Sequence, residues 1–238
     1  MKLNSFLLKN GILQSSIDFA ELMQIKAQRT TEIWYDIQDA EIDELQRFLS
    51  VLDLHPLMLN RCLDKSSTPG VISFGETVML EYPVSTNHFG FEPSYISIIL
   101  QYPILITIRH NTCPVLDDFV QEYVSRNETG IIHLVQLLYL IIDEITDLSV
   151  KSETELRDKI IEMSRKSTDN PATVKEKDLN DLRWEVEKLV SLNENQLYCV
   201  HSLSASDNPS LNEPHRKAYI QDLASEVEIA RNGILRLI

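Results

Sequence analysis

The chain has 238 residues, 43% of them apolar, enough for one large or two small domains with a proper core, so wholesale disorder is excluded. Thirty-six acidic against 22 basic side chains leave a formal charge of −14. Such a surface repels nucleic-acid phosphates and anionic lipid and favours cations and basic proteins as partners.

Met1 to Asn10 holds two lysines and a short apolar stretch, but Gly11 to Glu21 adds neither an h-region nor a cleavage site. Ile33-Trp34-Tyr35-Asp36-Ile37 is aromatic and β-branched and predicts a strand. From Asp39 the pattern turns helical, with Ile42, Leu45, Leu49 and Leu52 recurring at intervals of three and four. His55-Pro56 marks a break and a helix entry, with a short helix over Leu57 to Leu63. Val71 to Phe74 and Val78 to Tyr82 flank Gly75-Glu76 as a hairpin. Tyr95 to Leu100 and Ile104 to Ile108 are continuous apolar runs, which predicts strands covered on both faces.

After Pro114 helical periodicity takes over. Val115 to Arg126 is one helix, and Gly130 opens another that runs through Leu156, Ile160 and Met163. Its greasiest part, Ile131 to Ile142, is twelve residues with His133 and Gln136 inside, short of the roughly 20 that cross a bilayer. A buried core helix is expected there, and a soluble chain. His133 reads as a core or interface histidine. Ser167 to Pro171 forms a turn, and Leu179, Leu182, Val186 and Leu189 mark the returning helix.

In the last segment Ile220, Leu223, Val227, Ala230, Ile234 and Leu237 are spaced 3, 4, 3, 4, 3, the 3.5-residue repeat of a coiled-coil seam. Asn212 is a candidate cap, with Pro214 in the first turn. Two readings remain: a terminal helix packed on its own domain, or a stalk that self-associates and continues beyond Ile238.

Chemistry-bearing motifs are sparse. Cys62, Cys113 and Cys199 have no CxxC spacing, which excludes a disulfide framework or zinc knuckle and fits a reducing compartment. No GxSxG, HExxH or glycine-rich phosphate loop is present, so an enzyme is not expected. Asp143 and Asp147 lie four apart on one helix face, with Glu144 beside them. Like charges so placed repel unless a cation sits between them, and a hard divalent ion suits oxygen ligands. A solvated acidic face is the plainer alternative.

Taken in order, Trp34-Tyr35-Asp36-Ile37, Glu44-Leu45, Phe48-Leu49 and Leu54-His55-Pro56-Leu57 resemble the opening of the cytoplasmic domain of CorA-type divalent-cation transporters. The paired strands Tyr95 to Leu100 and Ile104 to His110, the run Leu137 to Asp143 with Asp147 after it, and the closing helix from about Glu213 are similar too. The resemblance implies a three-layer α/β/α sandwich with a mixed sheet over residues 1–205, strands mainly in 1–110 and helices mainly in 115–205. A long stalk helix follows from 210–238, truncated before the membrane. It further implies a regulatory, ion-funnelling domain for Mg²⁺, Co²⁺ or Zn²⁺, at the cytoplasmic face of the membrane, in a homopentamer joined along Ile220, Leu223, Val227, Ala230, Ile234 and Leu237. Two spanning helices and a Gly-Met-Asn pore signature would follow; lacking them, the chain is not expected to conduct ions by itself.

The departures are informative. Where magnesium-sensing members carry a Glu-Asp pair beyond the His-Pro, this chain has Asn60 and Arg61, and the partner acid of the stalk falls on Lys217. Thr68-Pro69-Gly70-Val71 also departs, as many members flank that proline with basic residues. Among the four regulatory carboxylates the resemblance implies, Asp143 alone matches. Arg61 and Lys217 would repel Mg²⁺, so the usual intersubunit cation lock is not expected. No cofactor is required, though a divalent cation is a candidate ligand. The competing readings are an interaction scaffold assembled through its terminal coiled coil and, more remotely, a metal-dependent hydrolase at Asp143 and Asp147.

Overall fold

The computed structural model describes residues 2–9, 12–15, 31–64, 68–85, 93–111, 113–125, 130, 133–170 and 174–236. Leu237, Ile131, Arg126 and Pro171 lie outside them. Seven strands, β1 (Lys2–Lys9), β2 (Ile12–Ser15), β3 (Glu32–Gln38), β4 (Gly70–Phe74), β5 (Thr77–Ser85), β6 (Pro93–Gln101) and β7 (Ile104–Arg109), form one sheet in the order β2-β1-β3-β7-β6-β5-β4. Only β3 and β7 pair in parallel; the other neighbours are antiparallel, so the sheet is mixed.

Alternation along the strands divides two cores. Ile33, Tyr35, Ile37, Met79, Ile99, Ile106 and Ile108 pack under α1 (Ile42–Leu49) and α2 (Pro56–Leu63). Trp34, Leu80, Tyr82, Ile98 and Leu105 pack on the opposite face. There they meet α3 (Pro114–Ser125), α4 (Leu134–Asp169), α5 (Glu176–Ala205) and α6 (Arg216–Leu235). This is the α/β/α sandwich with a long closing helix, and the unbroken burial of β3 and β7 reflects cover on both faces.

Within that apolar sheet sits one charged network. Asp36 Oδ1 accepts from Thr107 Oγ1 at 2.8 Å and Arg109 Nε at 3.1 Å, and its Oδ2 accepts from Arg109 Nη2 at 2.6 Å. Arg109 also donates to the Cys113 carbonyl and pairs with Asp117 at 2.9 Å, fastening α3 to the sheet. Trp34 Nε1 donates to Thr107 Oγ1, closing the network. Nearly every donor of the guanidinium is matched, which is what permits a charge this deep.

Three local signals read from sequence have visible causes. His55 caps α2, its Nδ1 accepting from the Leu57 amide. Gly75 turns the β4–β5 hairpin at φ +56°, a conformation that side chains disfavour. The three cysteines are free and buried.

Other expectations need correction. The N-terminal stretch, read only for what it lacks as a leader, forms β1 and β2; β1 pairs with β3 and extends the sheet. His133 is half-exposed at the N-terminus of α4 and not in the core, because the helix begins after it and its ring pairs with Glu32. The closing helix starts at Arg216, later than Asn212 and Pro214 imply. Asn212 instead ends a short 3₁₀ turn over Pro209–Leu211. Arg216 explains the offset: its Nη2 donates to the carbonyls of Leu203, Ser204 and Ser206, capping the end of α5 and fixing the corner.

The largest correction concerns the seam. Ile220, Leu223, Val227, Ala230 and Ile234 are each 7% exposed or less within the single chain. Their helix packs on both α4 and α5. Tyr139 meets Asp222 and Glu153 lies under Gly233, so α6 runs parallel to α4. Arg231 meets Glu194 and Arg216 reaches Leu203, so it runs antiparallel to α5. A 3.5-residue repeat is met equally well by two neighbours in the same chain as by copies of itself. The described seam residues are therefore the core of a three-helix bundle, not a free self-association stripe. No helix among the described residues is long and apolar enough to cross a membrane.

Candidate cation-binding site

Along the groove where α4 lies beside α6, two acidic stripes face one another. On α4, Tyr139, Asp143 and Asp147 repeat every four residues; on α6, Asp222 and Glu226 do the same, flanking the buried Leu223 and Val227. Seam packing brings the stripes together. Carboxylate oxygens of Asp143, Asp222 and Glu226 all lie within 4.8 Å of one another. Tyr139 donates its hydroxyl to Asp222 Oδ2 at 2.8 Å and stacks on Tyr219 at 4.7 Å, which walls one end of the group.

The electrostatics are those of clustered like charge, relieved in part by hydrogen bonds from Tyr139 and Glu226. Burial raises the Asp143 carboxyl above its ordinary range, with a hydrogen bond from Glu226 acting against that and Asp147 adding to it. Glu226 is pushed up to about 7, first by burial and then by the Asp143 charge. Glu144 is raised as well, by burial and by Asp147 and Glu122. The charges acting most strongly on these acids are other acids. One oxygen, Glu226 Oε2, is buried without a hydrogen-bond partner among the described residues.

Chemically this is an all-oxygen donor set that is open on one side, where Asp222 is exposed. It fits a hard divalent cation that keeps part of its water shell, such as Mg²⁺, better than a zinc ion seeking nitrogen or sulfur ligands.

Of the acids singled out from sequence, Asp143 belongs to this trio, while Asp147 is exposed at its edge and acts on it through charge. Asp222 and Glu226 escaped notice; their signal was the i,i+4 acid pair bracketing seam positions, which only the parallel packing of α4 and α6 makes meaningful. Asn60 and Arg61 lie on α2, under one sheet face, and Lys217 is exposed on α6 over the other. The single chain thus does not bring these three to the Asp143 group.

Comparison with known proteins bears on the fold and the family. The fold is similar to the CorA magnesium transporter from Methanocaldococcus jannaschii, with a TM-score of 0.79 at 16% identity, over 99% of this chain and 73% of that one. The soluble domain of the same transporter superposes with a TM-score of 0.73 at 16% identity, over 99% of this chain and 94% of the domain. The ZntB cytoplasmic domain from Vibrio parahaemolyticus RIMD 2210633 gives 0.70 at 14% identity, over 98% and 93%. No curated protein matches. The model of the family described as CorA-like Mg2+ transporter protein matches residues 30–234, and the chain therefore belongs to that family.

Proposed function

We propose that this chain acts in cation gathering and regulation within a CorA-type divalent-cation transporter. The acid cluster of Asp143, Asp222 and Glu226, with Asp147 and Glu144 beside it, carries this reading. Charge of one sign focused in a groove raises the local concentration of counter-ions. A cation bound between α4 and α6 would replace repulsion across the groove with attraction, which couples its level to helix packing. The oxygen-only donors favour Mg²⁺ over Zn²⁺ as the ion sensed, with Co²⁺ as a further candidate. Membership in the family supports a place at the cytoplasmic face of a membrane and assembly as a homopentamer. The surfaces for assembly then lie outside the buried seam. With Asn60, Arg61 and Lys217 in place of acids, subunit contacts would not be locked by a cation there.

Isothermal titration of the chain with Mg²⁺, Co²⁺ and Zn²⁺ tests the proposal. Saturable uptake of Mg²⁺ and Co²⁺ in the low-millimolar range, weakened at least about tenfold in Asp143→Asn, is the expected result. No uptake of any of the three refutes sensing by this groove.

A further inference from the structure

Away from the acid groove, a cleft of about 300 Å³ opens between the start of β3 with the β6–β7 turn, the N-terminus of α4 and the corner preceding α6. Its walls include Glu32, Tyr102, His133, Val135, Glu213 and Pro214, with no lysine or arginine among the lining residues. Its size is at the lower end of small-ligand cavities, about 300–1,000 Å³.

Glu32 gives the cleft its chemistry. Its carboxyl is buried, with Oε2 accepting from the Leu134 amide at 3.0 Å. Oε1 lies 3.5 Å from Nδ1 of the half-exposed His133. Tyr102 adds a hydrogen bond, and burial outweighs these partners and raises the carboxyl above its ordinary range. A carboxylate is thus held in a buried position without a fixed permanent cation. The rim adds a second acid, Glu213, whose Oε2 is occupied by the His215 amide. The rest of the wall combines Tyr102, which is 46% exposed, and the aliphatic Leu134, Val135 and prolines with the polar His133, Ser210 and Asn212.

Two carboxylates, an accessible aromatic ring and an aliphatic stretch of wall at Leu134, Val135 and Pro214 make a complement for a positive head on a short apolar body. Anions are disfavoured by both acids. Three carboxylates do not converge here as they do in the groove, so a hard metal ion would find too few donors. The geometry points to a binding site for a small alkylammonium ion, its head at Glu32 and its chain against Tyr102 and Val135. This site is separate from the Asp143 groove and does not depend on cation sensing there.

The test is calorimetric titration of the whole chain with n-butylammonium chloride, with MgCl₂ in parallel. Saturable binding of butylammonium, weakened about tenfold or more in Glu32→Gln and unchanged in Asp222→Asn, is expected. Because Glu32 also caps α4, two rim variants, Glu213→Gln and Tyr102→Leu, are titrated beside Glu32→Gln, each expected to weaken binding severalfold. Absence of saturable binding up to about 50 mM, or affinity unchanged in both rim variants, overturns the assignment. So does binding that Asp222→Asn abolishes, since the amine would then occupy the groove.

Discussion

Replacing Glu226 by glutamine separates the acid groove from the general acidity of the chain. In the folded protein this carboxyl titrates near 7 against 4.5 in the absence of its neighbours, and Asp143 shifts in the same direction. Between those two pH values the folded state holds more protons than the unfolded one, so stability falls as pH rises through about 7. A shift of that size, at about 1.36 kcal/mol per unit, corresponds to roughly 3 kcal/mol if fully expressed. Water on the open side of the groove screens it to about 1–2 kcal/mol. For a chain of this length that is about 3–6 °C in Tm between pH 5 and pH 8. Thermal melts at low salt should show this extra loss in the wild type and not in Glu226→Gln. At pH 8, Mg²⁺ at ten times its Kd should restore about 1.4 kcal/mol to the wild type alone. Parallel declines in both proteins, or equal rescue of both, would refute the argument that these carboxyls repel across the groove.

Three further substitutions test the packing. Asp36→Ala removes the buried partner of Arg109 and leaves it with Asp117 and the Cys113 carbonyl. Urea unfolding should show a loss of about 3 kcal/mol; a loss below about 1 would mean the network is incidental. Val227→Ala should cost about 2 kcal/mol, with a Tm shift that does not change with protein concentration. A concentration-dependent shift would show instead that the seam joins copies of the chain. Asn193 is fully buried in α5, and both its side-chain polar atoms lack a partner among the described residues, so Asn193→Leu should stabilise the protein by about 1 kcal/mol in the same unfolding assay. Destabilisation would show that the amide has a role this packing does not reveal.

Most of the fold was legible because its cues are local. The run Ile33 to Ile37, the hairpin around Gly75 and the apolar pair Tyr95 to Leu100 and Ile104 to Ile108 each carry their own strand signature. β1 was not, since Lys2–Lys9 mixes polar and apolar residues and becomes a strand by pairing with β3. Likewise Asn212 offered a cap, but the reach of Arg216 back to the last carbonyls of α5 sets where α6 begins. At the site, Asp143 was visible as half of an i,i+4 pair. Asp222 and Glu226 lie about 80 residues away, and no spacing rule links them to it.

The layered α/β/α architecture was implied by the resemblance to CorA-type transporters; by itself the sequence determined most of the elements from β3 onward and their order. Those follow from periodicity and turn chemistry, which each segment carries within a few residues. Tertiary structure alone decided what the closing helix packs against and which acids share a groove. A heptad stripe specifies that a face must be buried without naming its partner, and that partner was found within the same chain.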